Sequence, residues 1–329
     1  MRLLVRALTF GFPYLVLLTA AAGLFHPGPA VALYAAVPLL IALMMAAIGT
    51  TLELSAILSE WKRWPWIILI LFGQTLVLPL AGLLIGLPLL GPSERLGLVL
   101  AAAAPAEASA AVLILLSGGS EPLGLALLIA SPLVSAAILP QTLRLAGLPP
   151  VTVAPAGIFL WLLTVIVGPL LLGIFLRARL WRGREPRDAA AAVAGGALLC
   201  LVYAVAGLRP AVGEPLQWLG VGFACLALNL IGYAAGWFGM GLLGARREDR
   251  LAVLFTTGMR EFGLAMALAL QFFGPEPAVT AALYGLTTLL SAGIVLLWFR
   301  PRSPELSLPA EAGSEATPGT DGDRPGAGA

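Results

Sequence analysis

Apolar stretches of about 20 residues alternate with short polar or turn-forming segments along most of the chain. A stretch of that length crosses a bilayer as one α-helix. The separators, such as "HPGP", "SEWKRW" and "GARREDR", combine turn residues with charges. The pattern predicts ten spans, at about 8–25, 30–53, 65–89, 96–117, 121–143, 154–177, 189–208, 215–243, 249–272 and 277–299.

The composition indicates an all-α polytopic membrane protein. Of the 329 residues, 60% are hydrophobic and 11% are charged, whereas soluble domains carry about 25% charged residues. The expected partner is the lipid bilayer, and a net charge of +2 gives no support for nucleic-acid binding. The apolar run near the N-terminus is interpreted as span 1 rather than a signal peptide, because further spans follow it immediately.

The basic residues of the loops predict the orientation of the chain. The side that holds both termini carries fourteen Lys and Arg residues and the opposite side carries three, which are Arg95, Arg144 and Arg209. Basic loops stay on the cytoplasmic side. We therefore expect a multi-pass protein of a bacterial inner membrane with both termini in the cytoplasm. The polar segment 303–329 is expected to be a disordered cytoplasmic tail.

An internal repeat appears when the sequence is shifted by 155 residues. The segment "ERLGLVLAAAAPAE" (94–107) then aligns with "DRLAVLFTTGMREF" (249–262), and Gln74 aligns with Asn229. The shift equals five spans, and an odd number of spans inverts the second copy in the membrane. The transmembrane domain 1–302 is therefore predicted to hold two inverted five-helix repeats, at about 1–148 and 149–302, as in many secondary transporters.

Helix-breaking residues lie in the middle of two repeat-related spans. Pro105 interrupts span 4, and Gly258 interrupts span 9. Unwound backbone at membrane depth is tolerated only where it faces protein or a water-filled cavity. We expect helices 4 and 9 to be broken and to cross at these points, forming a binding site. A simple kink in each helix is the alternative.

Three ionisable residues, Glu107, Arg260 and Glu261, lie well inside predicted spans. Each costs about 2.5–3.5 kcal/mol to insert, which marks it as a functional candidate. One hypothesis is that Arg260 bridges one or both glutamates and offers donors to an anionic substrate, while a glutamate exchanges a proton. A purely structural ion pair is the alternative. With Ser109 and Asn229, these three residues form the predicted substrate-binding set.

Four segments carry a resemblance to a known family. They are "LSEWKRWPWIILILFGQTLVLPLAGLL", "GLVLAAAAPAEASAAVLILLSGGSEPLGLALLIAS", "VTVAPAGIFLWLLTVIVGPLLLGIFLR" and "DRLAVLFTTGMREFGLAMALAL". They resemble the bile acid:sodium symporter family, whose superfamily also holds arsenite carriers. The resemblance covers roughly residues 30–300. It implies ten helices in a panel domain and a core domain, with helices 4 and 9 broken and crossing in the core.

The resemblance also implies a cation site, and this chain departs from the family there. Bacterial relatives read near "PGGTASN" in helix 4, where this chain reads "PAEASAA", so Ala110 and Ala111 replace the sodium-ligand Ser and Asn. The remaining cation-binding candidates are Gln74, Thr256, Thr257 and Met259.

In helix 9 the family reads near "EVGMQNSG" and this chain reads "TTGMREFG". Thr256 replaces a sodium-ligand Glu, Arg260 replaces a Gln and Glu261 replaces an Asn. We therefore expect sodium coupling to be weakened or replaced by proton coupling, so the expected coupling ion is sodium or a proton.

The predicted function is secondary transport of a small organic anion by alternating access, with no catalytic residue, cofactor or bound metal. Arsenite efflux is an alternative, but arsenite carriers use a helix-4 cysteine, and Cys200 and Cys225 lie in spans 7 and 8. A membrane-embedded enzyme is a further alternative that would need a polar catalytic cluster. The single histidine, His26, lies in a Pro/Gly turn. The substrate, the transport direction and the oligomeric state do not follow from the sequence.

Overall fold

The computed structural model describes residues 14–15, 17–52, 58, 60–145, 155–180, 187–207 and 215–299. Within these ranges the chain is nearly all helical, and its one β-type contact is an isolated bridge between Ala106 and Arg260. The predicted tail at 303–329, the start of span 1 and several of the basic loop residues lie outside the described residues.

Fourteen α-helices follow one another in the described ranges, besides 3₁₀ turns at Tyr34–Ala36 and Trp61–Arg63 and a π-helical turn at Leu163–Val167. In chain order they are α1 (17–25), α2 (Pro27–Leu33), α3 (Val37–Thr51), α4 (Trp64–Leu89), α5 (Pro92–Ala103), α6 (Ala110–Ser117), α7 (Glu121–Leu145), α8 (Pro155–Leu162), α9 (Gly168–Leu180), α10 (Arg187–Gly207), α11 (Pro215–Leu242), α12 (Arg247–Gly258), α13 (Phe262–Phe272) and α14 (Pro275–Phe299).

Five helices in the described part of the chain are long and apolar enough to cross a membrane. They are Trp64–Leu89, Glu121–Arg144, Phe159–Leu180, Trp218–Leu242 and Pro275–Phe299. Large apolar side chains are exposed on their outer faces; on α4, for example, Leu80, Leu84 and Leu87 are more than half exposed. These three residues recur at the spacing of one helix face, which suits a surface in contact with lipid.

Several of the predicted spans are interrupted. Span 4 is divided into α5 and α6, and span 9 is divided into α12 and α13. In span 6, a π-helical turn at Leu163–Val167 joins α8 to α9. Pro169 lies two residues after this turn and has no N–H to continue the α-helical bonding pattern, which accounts for the irregular turn.

The helices pack in two groups, which we call the panel and the core. In the panel, α3 packs against both α9 and α10, and α10 also packs against α2. In the core, α5 packs between α4 and α14, while α11 packs on α12 and α14 packs on α13. The two groups meet where α10 contacts α13 and α14 and where α3 contacts α13.

Glycine pairs bring the panel helices close together. A Cβ atom on Gly49 of α3 would lie 3.0 Å from the Cα atom of Gly173 on α9, and one on Gly23 of α1 would lie 3.2 Å from the backbone nitrogen of Gly207 on α10. Small residues at such contacts allow helix backbones to approach in a membrane. The pairs join span 2 to span 6 and span 1 to span 7.

An ion pair fixes the linker between panel and core to the start of α12. Arg63 donates to both carboxylate oxygens of Asp249, at 2.7 and 3.1 Å, and to Glu60 at 3.2 Å. The hydrogen bond to Asp249 is the main reason that the pKa of Arg63 is raised above its usual value. Arg63 therefore stays charged at every pH at which the protein is handled.

Candidate functional site

The two broken spans meet at their breaks and pair through their backbones. Glu107 donates its N–H to the carbonyl of Met259 at 3.0 Å, and Glu261 donates its N–H to the carbonyl of Pro105 at 2.8 Å. These two bonds flank the antiparallel bridge between Ala106 and Arg260. We call residues 104–109 and 259–261 the crossing. The backbone hydrogen bonds of the crossing satisfy N–H and C=O groups that have no partner within a helix.

The break in each span has a local cause. In span 4 the last helical bond runs from Ala104 to Leu100, and Pro105 has no N–H to extend it. In span 9 the chain leaves the helix at Met259, whose φ of −106° and ψ of 115° are extended values. A side chain at Gly258 would overlap the ring of Tyr233, so only glycine fits there.

Polar side chains from other core helices hold the crossing in place. Asn229 of α11 donates to the carbonyl of Gly258 at 2.6 Å, and the hydroxyl of Tyr284 donates to the same carbonyl at 3.1 Å. Ser131 of α7 accepts the N–H of Ala106 at 2.6 Å. The sequence interpretation missed Tyr284 and Ser131. Their one signal was a polar group inside an apolar span.

Gln74 of α4 lies against the other side of span 9. Its amide nitrogen donates to the hydroxyls of Thr257 at 2.8 Å and Thr256 at 3.3 Å, and its amide oxygen accepts from Nη1 of Arg260 at 3.3 Å. The repeat-related amides, Gln74 and Asn229, therefore both brace the same break. Asn229 also contacts the hydroxyls of Thr288 and Ser291.

Arg260 does not bridge the glutamates, and that hypothesis was wrong. Its side chain is fully buried, it contacts Gln74, and no carboxylate in the described part of the chain lies within 4.0 Å of it. The reason is geometric. Adjacent residues in extended backbone point to opposite faces, so when Arg260 points toward α4, Glu261 points away from it.

The two glutamates lie on the side of the crossing away from Gln74. Glu107 is 6% exposed and Glu261 is 2% exposed, and each has one carboxylate oxygen without a hydrogen-bond partner. Glu107 interacts with the backbone N–H of Phe262, and Glu261 interacts with that of Ala108. Each carboxylate therefore faces the N-terminal end of the other span's second half-helix, where the helix dipole is positive.

A cleft lies beside the crossing, between panel and core. The cleft is narrow, and the space between its walls, open solvent included, is about 320 Å³. The panel side supplies Met45, Ile48, Leu52 and Leu170, and the core side supplies Leu128, Pro132, Pro105, Ala106, Ala108 and Glu261. Among these residues Glu261 is the charged one. Arg260 and Asn229, both predicted to bind substrate, do not line the cleft.

The predicted cation-binding residues are brought together, but protein donors already occupy several of their oxygen atoms. The oxygen of Gln74 accepts from Arg260, the carbonyl of Met259 accepts from Glu107, and the hydroxyls of Thr256 and Thr257 accept from Gln74. Ser109, predicted to bind substrate, has a buried hydroxyl beside the Glu107 carboxylate.

Comparison with known proteins agrees with the arrangement. A family model described as the sodium bile acid symporter family matches residues 38–211, which is more than half of the chain. A curated relative, the uncharacterized protein YbaS of Bacillus subtilis (strain 168), is 25% identical over 193 residues, covering 57% of this chain and 63% of YbaS. The matched region thus spans less than two thirds of that relative. The chain is an integral membrane protein that belongs to the sodium bile acid symporter family.

Proposed function

We propose that this chain is a secondary transporter that moves a small organic solute across the bilayer by alternating access. The crossing is the observation that carries the proposal. It places unwound backbone, two half-helix N-termini and two buried carboxylates beside a cleft between panel and core. Broken helices with this placement are how many secondary transporters build a site that opens to either side.

The proposed architecture is ten spans in two inverted five-helix repeats, with helices 4 and 9 crossing. Two observations support it: spans 4 and 9 leave the helix at repeat-related positions, after Ala103 and Gly258, and glycine contacts join two repeat-related pairs of panel spans. An inverted repeat exchanges span 1 with span 6 and span 2 with span 7. The contact between spans 1 and 7 is therefore the counterpart of the contact between spans 6 and 2.

In the proposed mechanism, the coupling does not use the sodium ions of the family name. A hard cation needs about six oxygen ligands, and Ala110 and Ala111 have no side-chain oxygen. The oxygen of Gln74 already accepts from Arg260, whose charge repels a second cation. Arg260 acts here as a fixed, built-in cation.

The proposed coupling ion is a proton carried by Glu107 and Glu261. The two carboxylates lie close enough to repel each other, and no cationic side chain of the described residues lies within 4.0 Å of either one. Like charges sharing a buried site favour a state in which one of them holds a proton. The glutamate pair would then bind the proton when the site faces one side of the membrane and release it when the site faces the other side.

The predicted organic anion stays a prediction. Arg260, which was expected to attract it, contacts Gln74 instead of lining the cleft. The cysteines give no support for arsenite efflux. Cys225 is buried beside the carbonyl of Thr280, and neither Cys200 nor Cys225 lines the cleft.

Transport by reconstituted protein tests the proposal. Proteoliposomes are incubated with a low-molecular-weight cell extract under a pH gradient of either direction or under a sodium gradient, and accumulated solutes are identified by mass spectrometry. The wild type should accumulate at least one solute under a pH gradient, and the double variant Glu107→Gln/Glu261→Gln should not. Gly222→Ala, at a site with no neighbouring atoms within 4 Å, is the matched control. Accumulation that requires sodium, or no accumulation above that of empty liposomes, would contradict the proposal.

A further inference from the structure

The charges at the crossing do not balance when both glutamates are ionised. Arg260 contributes one positive charge on the face toward Gln74, and Glu107 and Glu261 contribute two negative charges on the opposite face. Three other basic side chains have partners away from the crossing: Arg63 binds Asp249, Arg177 binds carbonyls at the end of α3, and Arg250 stacks on Trp237. No cationic side chain of the described residues lies within 4.0 Å of either glutamate. In the state that has released the coupled proton, the crossing therefore has one uncompensated negative charge.

That negative charge is presented to the cleft. Glu261 lines it, is 2% exposed, and has a carboxylate oxygen without a hydrogen-bond partner. The backbone N–H groups of Ala108 and Gly263 face the Glu261 carboxylate. The opposite wall, formed by Met45, Ile48, Leu52 and Leu170, is apolar.

We infer that the solute carries a cationic N–H group, such as a primary ammonium, on a compact apolar body. The ammonium would bind the Glu261 carboxylate and neutralise the crossing, and the body would contact the apolar panel wall. A carboxylate solute would instead bring a like charge to a water-poor site, which is strongly unfavourable. This inference rests on the proposed function and gives its substrate class.

Matched ligands test the inference. Wild-type protein in detergent is titrated with cyclohexyl-, phenethyl- and hexylammonium and with the carboxylates that carry the same apolar groups, and binding is read as a shift in the thermal midpoint. At least one ammonium compound should bind, and its matched carboxylate should not. Glu261→Gln should weaken that binding by about 10- to 100-fold, the range for hydrogen bonds to a charged group. Glu276→Gln, an exposed carboxylate, should leave it unchanged.

A second readout keeps Glu261 intact, in case the glutamine variant does not fold. Ala108 lines the same cleft, and Ala108→Cys should react with a thiol reagent more slowly when the bound ammonium is present. The inference is overturned if no ammonium compound binds, if the carboxylates bind instead, if Glu261→Gln leaves the affinity unchanged, or if bound ammonium does not protect Ala108→Cys. If the proteoliposomes accumulate carboxylic acids instead, the inference of a cationic solute is overturned and the transporter proposal stands.

Discussion

The proposed replacement of sodium by Arg260 gives a quantitative prediction. Nη1 of Arg260 lies 3.3 Å from the amide oxygen of Gln74. A cation bound to that oxygen at about 2.4 Å would lie no further than about 5.7 Å from Nη1. At an effective dielectric constant of about 20, two unit charges at that separation repel by about 3 kcal/mol. This repulsion weakens sodium binding by about 100-fold, even before the two alanines are considered.

The perturbation is Arg260→Gln, which removes the charge and keeps an N–H group that is able to donate to Gln74. The assay is thermal unfolding of purified protein, followed by tryptophan fluorescence, in NaCl or KCl of equal concentration. The wild type should unfold at the same temperature in both salts. A 100-fold gain in affinity adds up to about 2.7 kcal/mol of ligand-linked stability, so the variant should gain a sodium-specific rise of several degrees.

The matched control is Arg144→Gln, which removes an exposed arginine from the last turn of α7. The Arg144→Gln variant should unfold at the same temperature in NaCl and in KCl. A saturable, sodium-specific rise in the wild type would show that the protein binds sodium although Arg260 is present. An Arg260→Gln variant as insensitive to sodium as the wild type would show that the guanidinium charge is not what excludes the ion.

Three further substitutions test the packing around the site, each measured as a change in unfolding free energy. Asn229→Ala removes a donor to the carbonyl of Gly258 and should cost about 1–3 kcal/mol; no loss would mean that the amide does not brace the break. Gly258→Ala places a methyl group against Tyr233 and should cost about 1–3 kcal/mol or prevent folding, whereas Gly222→Ala, with open space around it, should be nearly neutral. Gly173→Ala should cost about 1–3 kcal/mol by separating the panel helices, and an unchanged protein would argue against their close contact.

The positions of the helices follow from local features, which is why they were predictable. A run of 20 apolar residues is a sufficient signal for a span. Pro105 and Gly258 interrupt the helix at or next to their own positions. Both breaks could therefore be predicted from the sequence, and the helices end there, at Ala103 and Gly258. The repeat shift paired Gln74 with Asn229, and both residues do contact span 9.

The directions of the side chains at the crossing were not predictable in the same way. Arg260 and Glu261 are neighbours in sequence, and whether they face one cavity depends on the conformation of a few unwound residues. The backbone hydrogen bonds of Glu107 and Glu261 hold the unwound part of span 9 in place, and there Arg260 and Glu261 point to opposite faces. This is a tertiary contact between segments about 155 residues apart, which no local pattern reports. The panel glycine pairs were missed for the same reason.

Two-sided labelling of Ala108→Cys tests the central claim most directly, because Ala108 lines the cleft beside the crossing. Protein of one orientation in proteoliposomes is treated with a membrane-impermeant thiol reagent from the outside or from the lumen, with NaCl or KCl on both sides. Cys200 and Cys225 are first replaced by alanine. Labelling is expected from both sides, at rates that do not depend on sodium. Labelling from one side only, or labelling from the second side only in sodium, would contradict it.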